Sequence, residues 1–111
     1  MLANPEDIAR DLLAQHERGE RFTSIRDRVT SRDDAYAVQD VLVPLLEKSL
    51  GTYVAGHKIA LSSKQTQEWL NIHEPCGGQI LANRIHQSQY KTKMSDWVNL
   101  GIETEICLVP D

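Results

Sequence analysis

The chain lacks several things that would narrow its role at once. No stretch of its 111 residues is apolar for long enough to span a bilayer, and no charged-then-apolar leader opens it. The expectation is a soluble, cytoplasmic protein with no membrane partner. Cysteine is scarce: Cys76 and Cys107 stand far apart with no C-x-x-C pair, which leaves little support for a disulfide framework or a zinc ribbon. Both read as reduced thiols used as small apolar residues. Basic clustering is absent too, and the formal charge of −4 is spread along the chain. A partner held through phosphate contacts, such as a nucleic acid, is therefore not expected. There is no internal repeat, no low-complexity tract and no second domain.

What is present suits one small domain spanning 1–111, with 41% hydrophobic residues for a modest core. Residues 1–51 read as helical and 52–111 as a mixture of strands and a short helix. Asn4-Pro5-Glu6-Asp7 is a helix start, in which Asn4 caps, Pro5 fits the first turn and the acids suit the positive end of the dipole. Ile8, Ala9, Leu12, Leu13 and His16 then form an apolar-leaning stripe up to Gly19, with His16 at its edge. Gly19 to Thr30 is polar and irregular. Ser31-Arg32-Asp33-Asp34 offers a cap ahead of a second amphipathic helix carrying Ala35, Val38, Val41, Leu42, Leu45 and Leu46. Pro44 removes a donor inside that helix, so a kink or restart is expected near Leu42 or Val43, with Gly51 as the stop.

Tyr53 to Leu61 favours a strand. Its alternation sets Lys58 with Val54, Gly56 and Ala60, and His57 with Tyr53, Ala55, Ile59 and Leu61. A lysine among small residues can reach into a cavity as a proton carrier or carboxylate anchor, or stand solvated on an open face. Ser62 or Ser63 caps a short helix through Leu70, whose Trp69 and Leu70 are expected to dock on the core. Glu74-Pro75-Cys76-Gly77-Gly78 reads as a turn, because proline restricts its predecessor and paired glycines permit unusual backbone angles. His73 and Cys76 lack the further pair that a metal site would need. Gln79-Ile80-Leu81 suits a short strand. Asn83 to Ser95 reads as a loop or exposed hairpin, and Trp97, Val98 and Leu100 restore apolar character.

The last run, Gly101 to Val109, reads as a half-buried strand. In an extended chain Glu103 and Glu105 point the same way, about 7 Å apart, with Ile102, Thr104 and Ile106 opposite. Two arrangements accommodate such neighbouring like charges. Either both face water on a sheet with one wet side, or a hard divalent cation lies between them. An apolar edge strand of this kind also tends to pair with another chain, so a homo-oligomer through it is a further expectation.

Taken together, Asp34-Ala35-Tyr36-Ala37-Val38-Gln39, Val54-Ala55-Gly56-His57-Lys58-Ile59-Ala60-Leu61-Ser62, Glu74-Pro75 with Gly78, and Ile102-Glu103-Thr104-Glu105-Ile106 resemble the N-terminal part of the 2-keto-4-pentenoate hydratase family, within the fumarylacetoacetate hydrolase superfamily. The resemblance implies an α+β chain: two N-terminal helices, a short helix after the first strand, and a small β-sheet that begins a fumarylacetoacetate-hydrolase-type fold. It places Glu103 and Glu105 on the E-x-E motif that ligates Mg²⁺ or Mn²⁺, and Lys58 and Gly78 at the site of a small 2-oxo or 2-hydroxy-dienoic acid. The implied reaction is hydration of a dienoate in aromatic-compound catabolism; the related decarboxylases of 2-oxo-3-enedioates share the same elements. In that family a third carboxylate ligand lies beyond the E-x-E strand, so this chain alone is expected to be catalytically inactive or nearly so. The competing class is a non-catalytic module, acting in self-association or binding.

Overall fold

A computed structural model describes residues 4–111. Helix α1, Pro5–Glu17, begins where the sequence indicates: the Asn4 side chain accepts from the Glu6 N–H, with Pro5 in the first turn and Glu6 and Asp7 beside it. Helix α2, Arg32–Leu50, is capped by Ser31, whose side chain accepts from the Asp34 N–H at 3.1 Å. It ends at Gly51, which adopts the left-handed conformation (φ 62°, ψ 41°) that a residue without Cβ takes at little cost.

Pro44 neither ends nor restarts α2, which is helical throughout. Asp40 and Pro44 are both exposed, so the carbonyl that loses its donor lies on the watered side of the helix. Val38, Val41, Leu42 and Leu45, on the other side, are held against α1. Packing of that stripe outweighs one lost hydrogen bond.

The core lies between these two helices. Ile8, Ala9, Leu12 and Val38 are its buried residues, with Ile25, Val29, Val41, Leu42 and Leu45 packed around them. The irregular segment from Gly19 to Thr30 is tied down by Gln15, which is itself buried. The Gln15 side chain accepts from the Thr23 N–H at 2.8 Å and donates to the Thr23 hydroxyl at 3.1 Å. Arg28 adds an ion pair to Asp11 at 2.6 Å. A polar loop is thus fixed over the apolar seam by one glutamine that meets both its hydrogen-bonding needs locally.

Strands β1, Val54–Ala60, and β2, Cys76–Leu81, form a two-stranded antiparallel sheet, with a bulge between Val54 and Gly56. Between them runs helix α3, Lys64–Leu70, capped by Ser63 and stopped by Asn71 in the left-handed region. The fold class is therefore α+β, as expected.

Three further local expectations are corrected. Cys76, Gly77 and Gly78 are not a turn; they open β2, and neither glycine has a positive φ. Pairing with β1 and bonds from α2 hold them extended, a tertiary effect that the dipeptide does not announce. Trp69 and Leu70 do not dock on the core: they are 72% and 62% exposed. Seven residues of helix with no buried position leave α3 as a surface connection. The run from Gly101 to Val109 is not a half-buried strand; it has no regular secondary structure, and Ile102 and Ile106 are 91% and 95% exposed. A strand needs a neighbour to satisfy its backbone, and among the described residues none is paired with it. Cys107, on that run, is accordingly exposed, whereas Cys76 is half-buried, and both are free thiols.

The segment from Asn83 to Ser95 is a loop, as expected, with local order of its own. His86 and Tyr90 stack at 3.7 Å, and Arg84 lies 5.7 Å over the Trp97 ring. No helix among the described residues is long and apolar enough to cross a membrane.

Candidate functional site

The sheet sits beside the N-terminal half of α2 through hydrogen bonds rather than a shared apolar core. The Gly77 N–H donates to the Tyr36 hydroxyl at 3.0 Å. Gln39 donates its amide to the Gln79 side chain at 2.5 Å and, more weakly, to the Gly77 carbonyl at 3.4 Å. Arg32 is paired with Glu74, just before β2. At the far end of α2, Glu47 accepts from the Val54 N–H at 3.0 Å, fixing the start of β1.

Within this frame Lys58 and Gly78 are direct ladder partners across β1 and β2. A Cβ added at Gly78 would meet the Lys58 side chain at 3.8 Å, ordinary van der Waals contact, so the lysine stem runs alongside the glycine. Two residues singled out twenty positions apart are thereby brought together. Lys58 is exposed, so of the two arrangements open to it the structure has the solvated one.

Glu103 and Glu105 are not brought into this arrangement. Both are exposed on the irregular C-terminal segment, and none of the ion pairs among the described residues involves them or Lys58. Their donor chemistry suits Mg²⁺ or Mn²⁺, since carboxylate oxygens are the ligands of hard cations, and Mg²⁺ is commonly held by one or two carboxylates with water completing its shell. Among the described residues no group of three His, Cys, Asp or Glu is placed to hold a metal. The pair therefore fits such an ion in kind but supplies only part of a shell, on a segment that nothing pre-organises.

Sequence reasoning missed the concave feature next to this hairpin. A groove of about 340 Å³ lies between α2 and the start of β2, with Ala35, Ile72 and Cys76 as apolar wall and Arg32, Tyr36 and Gln39 along one side. The Glu74 carboxylate, by hydrogen bond and then by charge, raises the pKa of the Arg32 guanidinium, with Asp33 adding to it. A signal was available: Arg32, Tyr36 and Gln39 fall at i, i+4 and i+7, one face of a helix, turned away from the Val38 stripe. Only the fold reveals that this polar face meets β2.

No protein-family model matches the chain.

Proposed function

We propose that the chain carries the N-terminal part of a divalent-metal-dependent hydratase of the 2-keto-4-pentenoate type. The observation that supports this reading best is the ladder pairing of Lys58 with Gly78, because it joins two segments of the resemblance into one local surface. On this reading Lys58 uses its ammonium to hold the substrate carboxylate or to carry a proton to and from the dienol system. Glu103 and Glu105 would hold Mg²⁺ or Mn²⁺, and the ion, when bound, polarises the C2 oxygen of a 2-hydroxydienoate so that the enolate forms more readily. Water adds across the conjugated double bond, a proton to one carbon and hydroxide to the other, giving a 4-hydroxy-2-oxo acid. A decarboxylase acting on a 2-oxo-3-enedioate would use the same groups, with loss of CO₂ in place of water addition.

With both carboxylates and the lysine open to water, the isolated chain is expected to bind metal weakly and to turn over little or no substrate. Paramagnetic broadening by Mn²⁺ tests the reading directly. Substoichiometric Mn²⁺ should broaden the amide signals around Glu103 and Glu105 first, and E103Q/E105Q should remove that selectivity. Equal broadening at all exposed carboxylates, or no change in the double variant, refutes the metal assignment. Measurable hydration of 2-hydroxypenta-2,4-dienoate by the chain alone with Mg²⁺ would refute the expectation of an incomplete site.

A further inference from the structure

The C-terminal segment carries a β pattern that its own fold leaves unused. Ile102, Thr104, Ile106 and Leu108 alternate with Glu103, Glu105, Cys107 and Val109, yet Leu108 and Val109 are 88% and 86% exposed and the run pairs with no strand among the described residues. The sheet, meanwhile, has only two strands, a size that is marginal without further pairing.

The two edges of that sheet are not equivalent. Gly77 donates its N–H to the Tyr36 hydroxyl and its carbonyl accepts from the Gln39 amide, so its peptide groups point outward and α2 covers the β2 edge there. In an antiparallel ladder, partners face outward together, so Ile59, opposite Gly77, presents its N–H and C=O on the far side of β1, as does His57 two residues before it. No backbone hydrogen bond outside the ladder uses those groups among the described residues. The β1 edge at His57 and Ile59 is the open one.

We infer that this edge is filled by residues 102–109 of a second copy of the chain, added as a third strand. Each copy has one open edge and one unpaired β-patterned segment, so a reciprocal exchange satisfies both in a closed, two-fold dimer. Both faces of β1 are complementary to the incoming strand. Ile59 is 67% exposed on one face and Lys58 is exposed on the other. The register that sets Ile102 and Ile106 on the Ile59 face also sets Glu103 and Glu105 on the Lys58 face. Apolar surface meets apolar surface, and two carboxylates meet a cation. The opposite register sets acids beside Ile59 and isoleucines beside Lys58. This pairing stands apart from the hydratase reading, since it requires no metal and is measured without substrate.

Sedimentation equilibrium over a concentration series, with amide hydrogen exchange, tests it on the full chain. The expected result is a concentration-dependent dimer in which the His57 and Ile59 amides become protected as dimer forms. I106P alters an exposed position and should give a monomer with an unchanged circular dichroism spectrum. K58E should weaken dimerisation roughly tenfold, because each exchange carries two such charge contacts, and K58E/E105K should restore much of it. A monomer at every concentration into the millimolar range overturns the inference. So does an I106P variant that still dimerises, or protection of His57 and Ile59 that is independent of concentration, which would mean that the chain's own tail fills the edge.

Discussion

Truncating Ile8 to alanine probes where the stability of this chain resides. Among the described residues Ile8 is the largest fully buried side chain, 1% exposed, in the core between α1 and α2. Ile8→Ala deletes three buried carbon groups at about 0.8 kcal/mol each, and incomplete collapse of the cavity brings the loss to about 3 kcal/mol. Four of the described residues form the buried apolar core, so few neighbours exist to absorb the change. Against a total of roughly 5–10 kcal/mol for a domain of this size, that is a large share. Urea unfolding followed by circular dichroism, in dilute protein, should show a midpoint lower by about 1–2 M for a slope near 2 kcal/mol/M. The matched control is Ile106→Ala, which removes the same groups from a position 95% exposed. It should move stability by less than about 0.5 kcal/mol. Equal losses in the two variants, or a loss below about 1 kcal/mol at Ile8, would refute the assignment of the core to the α1–α2 seam.

Tyr36→Phe removes the acceptor of the Gly77 N–H while leaving the ring, and should cost about 1 kcal/mol. Its mark should be faster hydrogen exchange at Gly77, with the amides of α1 unchanged; unaltered exchange at Gly77 would mean that α2 does not hold the β2 edge. Glu20 should titrate below the ordinary carboxylate value, chiefly because Arg18 hydrogen-bonds it at 2.9 Å. Since the folded value is the lower one, the associated stability is present above the unfolded value and is lost as the pH falls through the folded one; on so exposed a pair it is small. An NMR titration should show that Arg18→Gln returns Glu20 to its ordinary range, and an unshifted Glu20 in the wild type would contradict the pairing.

The helices were legible because their information is local. Asn4 and Pro5 start α1, Ser31 starts α2 and Gly51 stops it, each through contacts within a turn of its own position. The period of Ile8 and Leu12 on α1 and of Val38 on α2 marked the faces that pack together, whereas Ile25 and Val29, in a segment that reads as polar, joined them only in the fold. Strand β1 was legible within a residue at each end, from its β-branched residues and flanking Gly51 and Ser62. The candidate site was legible only in part: Lys58 and Gly78 do meet, but the groove beside them depends on a face of α2 that looks solvent-bound in sequence.

Sequence alone thus determined where helices begin and end, which helix faces are apolar, and the α+β class, because capping, periodicity and turn chemistry act over a few neighbouring residues. Tertiary structure decided the rest. It drew Cys76 to Gly78 into a strand through bonds from Tyr36 and Gln39, left Trp69 and Leu70 in water, and left Glu103 and Glu105 on an unpaired segment. A strand gains its stability from a partner distant in the chain, and an alternating pattern records readiness to pair without specifying the partner.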